Sequence, residues 1–153
     1  MKFLIITIAI ALSAFTMPTD SINLAKKSGQ DSEKVEIKII VSNLNTTKGY
    51  IEMGIYNSSK GYLKNGYAYK TVRQEVKGNT VEIILQDMPK GNYAVSLYHD
   101  ENNDKKCNTN ILGVPTEPYG FSNGFRRRLF KPSFEDCKVE VQSNTVVKVV
   151  LID

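Results

Sequence analysis

Three observations predict an all-β fold, an antiparallel β-sandwich of about seven short strands with Greek-key connections. Apolar residues recur with period two along most of the chain beyond residue 34, turn residues separate those runs, and no segment carries the 3.6-residue period of a long amphipathic helix. The chain has 153 residues, 41% hydrophobic and 24% charged, enough for one domain with a sizeable core. The same figures exclude a disordered chain and a multi-span membrane protein.

Taken in order, the elements begin with residues 1–16. Met1-Lys2 precedes an apolar run over 3–15, broken only by Thr7 and Ser13, which is the pattern of a secretory signal peptide. The run is shorter than the ~20 residues needed to span a bilayer, so no transmembrane span is expected after cleavage following Ala14 or Thr16. The protein is therefore expected in the periplasm or outside the cell. Residues 17–33, polar and rich in Ser, Asn and Lys, read as a flexible leader, and the single folded domain is placed at 34–153.

Within that domain Val35, Ile37, Ile39 and Val41 alternate with polar positions, and Ile51, Met53 and Ile55 follow the Lys48-Gly49 turn. A polar stretch over 57–70 has room for a short helical turn around Tyr62 and Leu63. Strands are then expected at 71–76, around Val81, Ile83 and Leu85, and through Tyr93, Val95 and Leu97. Two more close the chain, at 137–141 and 146–152, joined by Ser143-Asn144. Asp87-Met88-Pro89-Lys90-Gly91-Asn92-Tyr93 sets a Tyr just beyond a Pro/Gly turn. Its hydroxyl either bonds back to the turn, as in the tyrosine corner of immunoglobulin-like and transthyretin-like sandwiches, or belongs to an ordinary half-buried strand residue.

Residues 99–110 differ in character, since Cys107 is their only apolar member. Asp100, Asn102 and Asp104 stand at i, i+2 and i+4, with Asn108 four further on. Alternating oxygen ligands of this kind converge when a loop wraps Ca²⁺. Lys105 and Ile111 occupy the positions where a helix–loop–helix calcium motif has Gly and Glu. The same composition also makes a plain solvated loop.

His99-Asp100-Glu101-Asn102, then Gly113-Val114-Pro115-Thr116-Glu117-Pro118-Tyr119-Gly120-Phe121-Ser122-Asn123, then Pro132-Ser133-Phe134-Glu135, together resemble the domain-of-unknown-function 2141 family. Met88-Pro89-Lys90-Gly91-Asn92-Tyr93-Ala94 is similar to that family's earlier turn. The resemblance implies a secreted bacterial single-domain protein and no established activity. Asp104-Lys105 stands where the family pattern has Asn-Gly, and Asn108 where it has Asp. Both departures weaken a tight calcium loop.

Composition narrows the chemistry further. One histidine and two cysteines exclude a His-rich zinc site and a Cys cluster. No nucleophile elbow and no phosphate-cradling Gly loop occurs. A formal charge of +4, less one when Lys2 leaves with the signal, is small for a nucleic-acid binder, and export removes that partner altogether. The reading is a non-catalytic binding or envelope-associated module for a glycan or protein, with His99, Glu117, Tyr119, Phe121 and Asn123 as candidate contacts. Ca²⁺ is the one candidate cofactor, on Asp100, Asn102, Asp104 and Asn108. The alternative is a small hydrolase acting on envelope polysaccharide, its acid and base drawn from His99, Asp100, Glu101 and Glu117. Three further features have two readings each. His99 continues the inward phase of Tyr93, Val95 and Leu97, where it would bond loop backbone. Arg126-Arg127-Arg128 with Lys131 either meets an anionic partner or stays solvated. Asn45-Thr46-Thr47 and Asn57-Ser58-Ser59 match the glycosylation sequon but read as turn chemistry in a bacterial protein. Finally, export permits a Cys107–Cys137 disulfide, which would close the longest segment without strand alternation and stabilise by about 3–4 kcal/mol.

Overall fold

The computed structural model describes residues 33–126 and 130–153. The expected signal peptide, the expected leader up to residue 32, and Arg127 and Arg128 of the basic run lie outside the described residues. The fold is all-β: β1 (Lys34–Ser42), β2 (Tyr50–Tyr56), β3 (Lys70–Glu75), β4 (Thr80–Pro89), β5 (Gly91–Asp100), β6 (Tyr119–Phe121), β7 (Lys138–Val141) and β8 (Thr145–Val150), with one helical turn, α1 (Phe134–Cys137). Residues 59–67 make successive turns rather than a helix, closed by Tyr62 N–H to Ser59 O at 3.2 Å and Lys64 N–H to Gly61 O at 2.9 Å. Ser133 starts α1 with a reciprocal cap, its hydroxyl accepting from Asp136 N–H while the Asp136 carboxylate accepts from Ser133 N–H.

The strands form two sheets, a three-stranded one in the order β4-β1-β8 and a five-stranded one in the order β3-β2-β5-β6, in which β7 also pairs with β5. Period-two alternation sends one face of each strand inward. Ile37, Ile39 and Val41 of β1, Val81, Ile83 and Leu85 of β4 and Val147 and Val149 of β8 meet Ile51, Met53 and Ile55 of β2 and Tyr93, Val95 and Leu97 of β5 in one core. A smaller aromatic cluster packs Tyr56, Tyr62, Ala94, Phe134 and Cys137, with Tyr56 edge-on to Tyr62 at 5.1 Å and Tyr62 edge-on to Phe134 at 5.9 Å.

One pairing departs from the antiparallel expectation. β1 and β8 run parallel, Ile37 opposite Thr145 through Ser42 opposite Val150. The other ladders among the described residues are antiparallel. A bulge shifts the β1–β4 register between Val35 and Ile37, and Asp87 takes the left-handed conformation there at φ 58°. The tyrosine corner is present: Tyr93, buried beside that turn, donates its phenol hydroxyl to Pro89 O at 2.7 Å. The sheets are also tied at one edge, where Tyr119 and Ile152 exchange backbone hydrogen bonds of 2.9 and 2.8 Å. Gly120 permits this approach, because a Cβ there would stand 2.6 Å from Val149 Cγ1.

Candidate functional site

The outer face of the five-stranded sheet carries the residues that alternate with the core set. Register places Glu52 opposite both Arg73 and Tyr98, Gly54 opposite Thr71 and Ser96, and Tyr119 and Phe121 beside Tyr98 and Ser96. Over this face lies a groove of about 360 Å³. Gly54 forms part of its lining, Tyr56, Tyr98, Tyr119 and Phe121 supply aromatic surface, the 63–68 segment borders it, and Cys107 and Pro115 approach from the acidic loop. Gly54 leaves room for the Tyr56 ring, since a Cβ there would sit 3.0 Å from it and the ring would have to shift by a few tenths of an ångström. Tyr119 packs edge-on to Phe121 at 5.9 Å, and Phe121 to Phe125 at 5.8 Å, so the aromatic wall is held from behind.

The loop after β5 folds around Asp100. Its side chain points outward from the sheet yet is fully buried, because the loop turns back over it. Asp100 Oδ1 accepts from Asp104 N–H at 3.1 Å, and Oδ2 accepts from Lys105 N–H at 3.1 Å and from Arg73 Nη1 at 3.4 Å. Two left-handed residues, Asn103 and Lys105, each at φ 62°, give the chain this curl. Asp104 Oδ1 accepts from Lys106 N–H at 2.9 Å, while Oδ2 accepts from the amides of Asn108 at 3.0 Å and Asn102 at 3.3 Å. These bonds, the Asn108 amide foremost, hold the Asp104 carboxyl below its usual range.

Glu117 returns to the same place at the end of the loop. Its Oε2 accepts from Asn108 N–H at 3.1 Å, and its Oε1 is buried with no hydrogen-bond partner. One carboxylate oxygen each from Asp100, Asp104 and Glu117 lie within 4.8 Å of one another. Burial is the main cause that raises the Glu117 carboxyl above the ordinary range. The Asn108 and Glu101 backbone N–H groups pull it down, and the charges of Asp100 and Asp104 push it further up. Burial and then the Glu117 charge raise the Cys107 thiol to about 11. Burial, followed by Asp100, Cys107 and Glu117, raises the Tyr98 phenol to about 12 against the opposing pull of Arg73.

Several expected roles change. His99 is fully buried on the inward face, and its Nε2 donates to Lys48 O at 2.7 Å, tying the β1–β2 connection to the start of the acidic loop. A carbonyl only accepts, so the bond requires the proton on Nε2. Glu101 Oε1 stands 3.5 Å from the other ring nitrogen. Asn123, left-handed at φ 58°, donates to Asp136 O at 3.2 Å and so braces α1. Asn102 and Asn108 steady Asp104 with their amide nitrogens, and Glu117 takes their place in the carboxylate cluster. The expected disulfide is not formed: Cys107 and Cys137 are free, the first exposed on the loop and the second fully buried in the aromatic cluster. Tyr119 and Phe121 do reach the groove.

Two contributors went unread in the sequence. Arg73 bonds Glu52, Asp100 and Asn103 and lies 3.9 Å above the Tyr50 ring centre, linking β3 to the acidic loop. Tyr98 forms part of the groove wall. The signal for both was the alternation itself, which assigns Glu52, Arg73 and Tyr98 to the face opposite the core.

A family model described as an uncharacterized protein conserved in bacteria, DUF2141, matches residues 39–148. No curated protein and no solved structure matches the chain.

Proposed function

We propose that this chain, which belongs to the bacterial DUF2141 family, is an exported, non-catalytic binding module of the cell envelope. Its ligand site is the groove on the outer face of the five-stranded sheet. The observation that carries this reading is the groove: a concavity of about 360 Å³ on a rigid sheet, with tyrosine and phenylalanine walls and the polar groups of Lys64, Asn65, Thr71 and Ser96 around it. Aromatic faces beside hydroxyl and amide groups suit a sugar ring, which offers an apolar C–H face and equatorial hydroxyls. The ligand class is accordingly an envelope glycan. Asn65 and Thr71 are exposed at the rim and free to meet it.

Isothermal titration with oligosaccharides released from bacterial envelope polysaccharide tests the reading. Thr71→Trp fills the groove from an exposed edge-strand position without removing a packed side chain. Saturable binding by the parent and none by Thr71→Trp, at an unchanged melting temperature, is expected. Equal binding by both proteins would move the site elsewhere, and silence from the parent would remove glycans as its ligand.

A second reading has one observation in its favour. Glu117, its carboxyl raised, stands beside the Asp100 and Asp104 carboxyls, an arrangement suited to a proton donor paired with a base. A small polysaccharide hydrolase built this way would lose turnover in Glu117→Gln while keeping its affinity for substrate.

A further inference from the structure

We propose that Asp100, Asp104 and Glu117 form a Ca²⁺ site that locks the loop between β5 and β6. The ligand set differs from the one spacing suggested, because Glu117 replaces both asparagines. Two oxygens each about 2.4 Å from one Ca²⁺ can be no more than about 4.8 Å apart. One oxygen from each of the three carboxylates already meets that limit, with all three within 4.8 Å of one another.

Glu117 supplies the independent observation. The residue is 8% exposed, and its Oε1 is buried without any hydrogen-bond partner. A buried carboxylate oxygen with nothing to accept from is costly unless a cation or a proton meets it. Its neighbours supply no such charge. Arg73 contacts Asp100 at 3.4 Å, but the same Nη1 bonds Glu52 and its Nη2 bonds Asn103, so one guanidinium serves two carboxylates. Lys106 acts on Asp104 from the exposed side of the loop.

The remaining lone pairs are organised for an ion of this kind. Backbone N–H groups of residues 104, 105, 106 and 108 hold the three carboxylates in place, each leaving acceptor capacity unused. Oxygen-only coordination by two buried carboxylates and one exposed carboxylate favours Ca²⁺, which tolerates irregular geometry and retained water, over Mg²⁺, which demands a near-ideal octahedron. Three carboxylates, one of them shared with Arg73, place the affinity in the weak range of extracellular modules, roughly 0.1–1 mM. The ion would join Asp100 at the end of β5 to Glu117 just before β6, closing the base of the loop.

The test is titration of the whole chain with CaCl₂, against chelator and MgCl₂, read by calorimetry and by melting temperature. A saturable heat is expected, and at about 100-fold excess over Kd the melting temperature should rise by roughly 11 °C. Glu117→Gln and Asp104→Asn should each weaken binding at least tenfold. Asn102→Ala, which removes only a brace of Asp104, should weaken it about threefold, and Glu140→Gln on β7 should leave it unchanged. Asn102→Ala also keeps the test intact if a carboxylate variant fails to fold. Equal melting in calcium and chelator overturns the proposal, as does unchanged affinity in Glu117→Gln. So does a Glu117→Gln protein that is simply more stable with no calcium heat in the parent, since Oε1 would then be met by a proton.

Discussion

Replacing Tyr93 with Phe deletes one oxygen and nothing else. That oxygen donates to Pro89 O at 2.7 Å, across the turn that joins β4 to β5, and the residue is only 4% exposed. The ring stays in the core against Val95 and Leu97's layer, so the packing contribution is preserved and the loss is polar. A neutral hydrogen bond contributes about 1 kcal/mol net, and a carbonyl left without a partner in a half-buried turn adds to that, giving about 1–2 kcal/mol. With an unfolding entropy near 2.1 cal/mol/K per residue, a domain of this size loses roughly 4 °C for each kcal/mol, so the melting temperature should fall by about 4–8 °C. Tyr69→Phe is the internal control: its ring lies 6.1 Å from that of Tyr93, but the residue is 47% exposed. Calorimetric scans of both variants and the parent at one pH decide the matter. A Tyr93→Phe protein melting within about 1 °C of the Tyr69→Phe control would refute the corner as a stabilising bond.

Gly120→Ala puts a methyl 2.6 Å from Val149 Cγ1 where the two sheets meet, and should cost about 1–3 kcal/mol by denaturant titration. Ser122→Ala removes a fully buried hydroxyl that accepts from Val95 N–H at 2.8 Å and donates to Cys137 O. A loss of about 2–3 kcal/mol is expected in the same assay, with the transition slope unchanged. Alkaline stability should decline in steps. The Cys107 thiol rises from 9.0 to about 11 and the Tyr98 phenol from 10.0 to about 12, so the folded state holds both protons more tightly than the unfolded chain. Their contributions are complete below about pH 9 and disappear over pH 9–11 and 10–12 respectively, and a melting-temperature profile of Cys107→Ser should lack the first decline. Titration of the denatured, unreduced protein with a thiol reagent should find both Cys107 and Cys137 reactive, since neither is bridged.

Alternation made the strands legible because both sheets bury one face, and the inward residues of β1, β2, β4 and β5 are the ones the period assigns. Strand direction was not legible. Val146 to Val150 alternate identically read forwards or backwards, so nothing local separates the parallel β1–β8 pairing from an antiparallel one. The phase of His99 was informative for the same reason as the core positions, and it pointed inward. The carboxylate cluster was half legible. Asp100 and Asp104 are neighbours in sequence, whereas Glu117 joins them only because the loop returns to pair Tyr119 with Tyr98. Spacing reports where Asn102 and Asn108 fall, and not that their amide nitrogens turn to the Asp104 carboxylate while Asn102 Oδ1 accepts from Asp104 N–H. The cysteines were misread because their separation along the chain carries no information about Cα geometry.

The central position of β1 in its sheet governs when this domain can assemble. β1 leaves the ribosome first among the strands, yet its two neighbours are β4 and β8, and the β8 ladder is completed only when Val150 is available. Until then Ile37, Ile39 and Val41 have an open flank, and the core lacks Val147, Val149 and Leu151. Loop closure across more than a hundred residues must precede that last pairing, which makes the fold slow to nucleate and sensitive to loss of its final strand. A nascent chain with this wiring cannot complete its three-stranded sheet until β8 has emerged, so the first strand made waits on the last of the described strands.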